Sequence, residues 1–346
     1  MNLKLDNIQA NFHSQGASLC SLLVNGQSVL RSIPIKSYPF SSGHFGSIAG
    51  PIANRVAHAQ VQLNNQIYHL PINEHGQHTL HGGDQGLGRR PWQCTKQSDT
   101  SIEFQINLED GELGLPGFRT FSCEYSLFST LPTDIFIDHS SFSELNRSTY
   151  LSEVYLKIEL TMSSDRDTFC NLAFHPYFCL DNSGGLLHHH LHILSKDYLP
   201  LDSYNIPTGN IAPVKDTEFD FTRSRPLAEL IQANALSLDH NFCFFHEESP
   251  STIPKSKQLY PLAQLTSLLS KLELQVYSDQ VGLQVYCPSH LDQMLNDDLP
   301  KDYFPAICLE PQSWPAAPNY SHFPSILVTK SQPYQQKTLL KLSLME

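Results

Sequence analysis

The chain reads as an all-β protein, a large antiparallel β-sandwich with a few short helices, and three observations predict it. Apolar and polar residues alternate with period two along several stretches, as they must in a strand whose successive side chains face opposite sides of a sheet. Hydrophobic residues make up 40% and charged residues 16%, with 23 prolines and 17 glycines, a profile of many strands joined by turns. Helical signals are few and short.

In chain order, Val61 and Leu63 lead into Asn64-Asn65, with Ile67 and Leu70 beyond. This predicts a tight hairpin, because Asn tolerates the positive φ such turns demand. The clearest strands follow: Ile102, Phe104, Ile106 and Leu108; Phe121, Cys123, Tyr125 and Leu127; Leu156, Ile158, Leu160 and Met162; and Leu272, Leu274 and Val276, each with polar residues interleaved. Two helices are predicted, one over Pro226 to Ala235 with Pro at its first position and one of two turns over Leu262 to Leu269. Glu247 to Lys257 reads as a polar surface loop. The 346 residues suffice for one large domain or two ordinary ones. With no repeat, linker or composition shift, residues 1–346 are expected to form a single domain.

A net charge of −12 and a pI near 5.7 argue against nucleic acid or an anionic membrane as partner, since no basic patch offsets the repulsion. Arg89 and Arg90 are a pair and not a cluster. The N-terminal residues carry no secretory signal, so a cytoplasmic location is expected. No window approaches the roughly 20 apolar residues that span a bilayer. The 8 cysteines form no CxxC motif and read as buried free thiols.

Four polar clusters interrupt the strand patterns: GPIANR at 50–55, LHGG at 80–83, NLAFHPYF at 171–178 and CLEPQSWPAAPN at 308–319. In the third, Cys170, Leu172 and Phe174 share one face and Asn171, Ala173 and His175 the other, with Pro176 ending regular pairing. His175 is thus either a functional group or a histidine satisfied at a strand end. Glu310 opposes Ile307 and Leu309 at a rim where Pro311 is expected to stop the strand. The pattern leaves it readable as a solvated carboxylate or a functional one. Gln284, opposite Leu283 and Val285, and Asp239, opening DHNF, are orienting hydrogen-bond groups or ordinary surface residues.

These clusters, in their order and spacing, resemble the aldose 1-epimerases, also called galactose mutarotases. The likeness runs from GASLCSL at 16–22 through GPIANRVAHAQVQLNNQIYHL, LHGGDQG and NLAFHPYF to YLPLDSYNIPTG, DTEFDF, LDHNF, GLQVY and CLEPQSWPAAPN. It implies a galactose mutarotase-like supersandwich that interconverts the α and β anomers of free hexoses such as galactose and glucose, acting as monomer or homodimer. It implies Glu310 as general base and His175 as general acid. Asn54, Arg55, His81, Asp239 and Gln284 would bind and orient the sugar. Opening a hemiacetal needs one proton taken from the anomeric hydroxyl and one given to the ring oxygen, so two groups must act on opposite sides and no metal, nucleotide or other cofactor is required. The family often has Arg in place of Pro51 and a small polar residue in place of Pro176, which bears on the pocket wall.

Several other sequence signals point less far. His188, His190 and His192 share one strand face, but no Cys, Asp or Glu at ligand spacing completes a zinc site, and a half-exposed strand is the simpler reading. GGDQG at 82–86 lacks the GKS or GKT ending of a phosphate loop, and no G-x-S-x-G elbow is present. Two rival functions stand beside the first. A hexose-6-phosphate 1-epimerase would need further cations at the pocket. A non-catalytic sugar-binding protein on the same fold would have no need of both Glu310 and His175.

Overall fold

The computed structural model describes residues 1–40, 43–137, 150–181, 183, 185–233, 236–244, 258–288 and 305–346. The all-β expectation holds. Ten strands build the principal sheet, whose backbone of long antiparallel strands runs in the order Gln93–Gln97, Ser101–Leu108, Arg119–Phe128, Tyr150–Ser164, Tyr334–Met345, Leu272–Ser278 and Gln258–Ser267. The period-two residues behave as read. Phe121, Cys123 and Tyr125 are fully buried and Leu156, Ile158, Leu160 and Met162 nearly so, all in one core.

Two smaller sheets cover one face of this sheet. One is the N-terminal sheet of four strands, which contributes Leu3, Ile8, Phe12, Leu19 and Leu22 to the core. The other has five strands, in the order Ala212–Pro213, Asp197–Tyr198, Asp239–Cys243, Gly282–Tyr286 and Cys308–Gln312. Its inner face sends Phe242, Leu283, Val285 and Leu309 into the same core. Strand alternation then turns the residues between them outward, away from the core.

The hairpin forms as predicted: Gln60–Leu63 pairs with Gln66–His69 through Asn64 and Asn65, at φ 49° and 62°. The helix near Pro226 is shorter than expected, Leu227–Gln232, with Pro226 before its first turn instead of inside it; Asn234 and Ala235 lie outside the described residues, as does the Glu247 to Lys257 segment. Leu262 to Leu269 is not helical. Most of it belongs to the strand Gln258–Ser267, where Leu265 pairs with Leu274 on one side and Leu191 on the other. A central strand buried on both faces loses its alternation, and tertiary pairing overrides the helical propensity of Leu and Ala. Pro311 does not stop its strand either. It pairs with Leu283 inside Cys308–Gln312, which a proline can do because this strand is the sheet's edge and needs no N–H on its open side.

No helix among the described residues is long and apolar enough to cross a membrane. All eight cysteines are free, seven of them buried.

Candidate active site

The outward face of the five-stranded sheet brings three of the marked residues together. Gln284 lies directly across the strand pair from Glu310, and Asp239 across from Tyr286, so Asp239, Gln284 and Glu310 occupy one polar face on three neighbouring strands. Gln284 Nε2 donates to Asp239 Oδ1 at 2.7 Å.

Two loops lean over this face. Asn54 and His81 both adopt left-handed backbone conformations, φ 63° and 52°, and their segments are tied by hydrogen bonds in both directions. His81 N–H donates to Asn54 O at 3.1 Å, and Asn54 N–H donates to His81 Nδ1 at 3.1 Å. The second bond fixes the tautomer, because a nitrogen that accepts carries no proton; Nε2 is therefore the N–H of the neutral ring. Gly82 is required here, since a Cβ would sit 2.3 Å from Gly50 O. Arg55 projects beside them and donates through Nη1 to Asp239 Oδ2 at 3.1 Å and through Nε to Glu74 Oε1 at 3.0 Å. Asp239 is thus gripped on one oxygen by Arg55 and on the other by Gln284.

His175 follows the short strand Ala173–Phe174, which pairs with Ile48–Ala49. Its flanking residues alternate as read, with Cys170, Leu172 and Phe174 in the core. His175 N–H donates to Ser47 O at 3.0 Å, and Gly46 N–H donates to His175 O at 2.8 Å. Its Nε2 lies 3.3 Å from Glu310 Oε1. Glu310 is not a solvated rim carboxylate: it is 1% exposed, enclosed between the edge strand and the His175 segment. Two polar atoms of this couple, Glu310 Oε2 and His175 Nδ1, are buried with no protein partner.

All seven marked residues line one cavity of about 200 Å³. That is below the roughly 300–1,000 Å³ of pockets that take drug-sized ligands, so it has room for one small ring. Burial pushes the Glu310 carboxyl well above its usual range, and the charge of Asp239 adds to the effect. Burial also lowers His175, to about 4, against the smaller opposing pull of its own backbone and of Asp239. His81 is held well below its ordinary value by burial and by the neighbouring imidazoles of His44 and His175. Both members of the couple are thereby driven towards their uncharged forms, so the pair is net neutral and holds one titratable proton between its two groups.

The sequence reading missed His44, Tyr177 and Tyr286, which line the same cavity. The rings of Tyr177 and Tyr286 stand 5.1 and 6.4 Å from that of His175. Their signals were present, since Tyr177 belongs to the FHPYF segment and Tyr286 to GLQVY. Pro51 and Pro176 are buried and do not line the cavity. Arg89 and Arg90 stand outside it, Arg89 paired with Asp84 at 3.4 Å and Arg90 with Glu112 and with Gln85 O.

Among the described residues His188, His190 and His192 do not gather into a ligand set. His188 is exposed, His190 half-buried, and His192 is buried with Nε2 3.1 Å from Thr222 O. Among the described residues the strand's opposite face carries the denser group, where His189 meets Asp181 and Cys179. Leu180 N–H donates to His189 Nε2 at 2.9 Å. The ring proton is therefore on Nδ1, facing Asp181 Oδ2 at 3.7 Å, and no lone pair is left for a metal.

The chain resembles known proteins along nearly its whole length. The family model described as Aldose 1-epimerase matches residues 2–135 and 145–341. A galactose mutarotase of Rattus norvegicus is 29% identical over 352 residues, covering 99% of this chain and 93% of that protein. An aldose 1-epimerase of Haemophilus influenzae is 30% identical over 326 residues, covering 90% and 85%. Among solved structures, a GalM/aldose epimerase homologue from C. elegans superposes with a TM-score of 0.80 at 23% identity, covering 100% of this chain and 99% of that one. With the fold, the order of the polar clusters and these matches in agreement, the chain belongs to the aldose 1-epimerase family of isomerases acting on carbohydrates.

Proposed function

We propose that this protein is a mutarotase for free aldohexoses such as galactose and glucose, working by general acid–base catalysis without a cofactor. The observation that carries the reading is the direct approach of Glu310 Oε1 to His175 Nε2, 3.3 Å apart in a small cavity, with a second oxygen and a second nitrogen unclaimed by the protein. With the couple's one proton on His175, Glu310 takes the proton of the anomeric hydroxyl while His175 delivers its own to the ring oxygen. The bond between C1 and the ring oxygen breaks, leaving the open-chain aldehyde. After rotation about C1–C2 the two groups exchange roles and the ring closes on the other face. The couple holds one proton throughout, so no net charge is created in the buried site.

The remaining groups serve binding. His81 Nε2–H and the amide of Asn54 offer donors to sugar oxygens, and Asp239, oriented by Arg55 and Gln284, accepts from a sugar hydroxyl. The supply of cations favours a free sugar over its 6-phosphate. Among the described residues Arg55 is the one Lys or Arg side chain lining the cavity, and it is already paired with two carboxylates.

Polarimetry of freshly dissolved α-galactose and α-glucose with and without the protein tests the reading, with glucose 6-phosphate alongside. Accelerated decay for the free sugars is expected, with little for the phosphate. Binding without acceleration would turn the assignment towards a non-catalytic sugar-binding protein, and preference for the phosphate towards the hexose-6-phosphate enzyme.

A further inference from the structure

His44 is the third imidazole of the cavity, and nothing in the acid–base scheme above uses it. The turn that carries it is locked to the catalytic segment. Gly46 N–H donates to His175 O at 2.8 Å, His175 N–H to Ser47 O at 3.0 Å, and the Tyr177 hydroxyl to Gly43 O at 2.6 Å. His44 itself has φ 52°, in the left-handed region where His is several-fold enriched over most residues. Its Nδ1 lies 3.4 Å from Ser47 Oγ and rests on the backbone of Gly88, where any Cβ would come within 2.6 Å of that nitrogen. The ring stands 4.8 Å from that of His81 and stacks at 6.1 Å on that of His175. Ser47 and the Gly88 backbone therefore hold the imidazole on its Nδ1 side, and the ring lines the cavity.

We propose that His44 is a substrate-contacting residue whose Nε2 hydrogen-bonds one hydroxyl of the bound sugar, on the cavity wall it shares with His81. This rests on the mutarotase reading of the pocket. The Ser47 hydroxyl can donate or accept, so the neutral ring can meet the sugar as acceptor or donor. Burial, reinforced by the nearby His175 and Arg89, lowers the His44 pKa to about 3, so the ring stays neutral and does not compete with His175 for the working proton.

His44→Phe keeps a flat ring against His81 and removes both nitrogens. For the aldose the wild type turns over, KM should rise about 3- to 10-fold, the loss of one neutral hydrogen bond, with kcat nearly unchanged. A series of monodeoxy analogues identifies the contact: the sugar lacking the contacted hydroxyl should show the same KM in both proteins, while the others keep the full ratio. His44→Gln, which restores a hydrogen-bonding group, should recover part of the loss. Equal KM values in wild type and His44→Phe for every sugar would overturn the proposal. So would a fall in kcat with a displaced pH profile, which would mean that His44 acts through His175. If the wild type itself accelerates no aldose, the mutarotase reading fails separately. Calorimetric titration of the same sugars into both proteins then decides His44, and equal affinity, or no binding by either, overturns it.

Discussion

Two buried histidine–carboxylate pairs, each beside a cysteine, sit in different parts of this molecule. His175 Nε2 is 3.3 Å from Glu310 Oε1 with Cys308 adjacent, and His189 Nδ1 is 3.7 Å from Asp181 Oδ2 with Cys179 adjacent. They differ in how their remaining valences are filled. Both oxygens of Asp181 are claimed, Oδ1 by Ser183 N–H and Oγ–H and Oδ2 by Ser267, and His189 Nε2 accepts from Leu180, which leaves His189 Nδ1, 3.7 Å from Asp181 Oδ2, as the atom of the pair without a hydrogen bond. At the other pair a carboxylate oxygen, Glu310 Oε2, is left without a protein partner as well as His175 Nδ1, and both residues line the cavity. A histidine, a carboxylate and a cysteine thus make a fastening where both carboxylate oxygens are claimed and a reagent where one is left open at a cavity.

The largest expected effect separates the two directly. Glu310→Gln or His175→Asn should lower kcat by about 10²- to 10⁴-fold, the range for one positioned acid or base, with the urea midpoint close to that of the wild type. Asp181→Asn should do the reverse, losing about 1–3 kcal/mol of stability as a buried hydrogen-bonded carboxylate is disrupted while the folded fraction keeps its turnover. Polarimetry and urea unfolding on the three variants check both halves. Wild-type turnover in Glu310→Gln would remove the distinction between the pairs.

Reading from residues alone reached the alternating strands, the Asn64-Asn65 turn and the outward orientation of His175, because each depends on neighbours a few positions away. It could not reach cross-strand geometry. That Gln284 faces Glu310 follows from register between strands about 25 residues apart, which the pattern of either strand leaves open. The same limit hid the meeting of His189 with Asp181 and made Leu262 to Leu269 look helical, since only the flanking strands show that it is buried on both faces. His44 lies in a turn without periodicity, so its position in the cavity had no local signature.

Acid should act on both pairs through their imidazoles but distinguish their carboxyls. Burial lowers His175 and His189 to about 4, from an ordinary value of 6.5. Between those limits the unfolded chain binds protons that the folded chain refuses, so stability is complete above pH 6.5 and declines as the pH falls towards about 4. Each such histidine steepens the decline by up to about 1.4 kcal/mol per pH unit. The carboxyls move oppositely. Burial raises Glu310, whereas at Asp181 the hydrogen bonds from Ser183 and Ser267 outweigh burial and hold it low. Activity needs the single proton of the His175–Glu310 couple, so kcat/KM should fall below about pH 4 as a second proton enters and fall again in alkali as the last one leaves, above the ordinary carboxylate range. Asp181→Asn should leave both limbs in place once rates are scaled to folded protein. A shifted limb in that variant would couple the two sites.

The cysteines give the smallest expected effect. Burial holds the Cys308 thiol well above its ordinary pKa, with the Glu310 charge adding to it, and burial raises Cys179 to about 11. A protonated thiol is neither a nucleophile nor a ready metal ligand, so in both triples the sulfur is packing for the pair beside it. Cys308→Ala and Cys179→Ala should each cost on the order of 1 kcal/mol for the space vacated, with turnover retained. Prolonged dialysis against a chelator should change neither the activity nor the unfolding midpoint. Loss of turnover in Cys308→Ala with the fold intact, or loss of activity on chelation, would make the sulfur a participant, and the pair at the cavity would have to be treated as a triad.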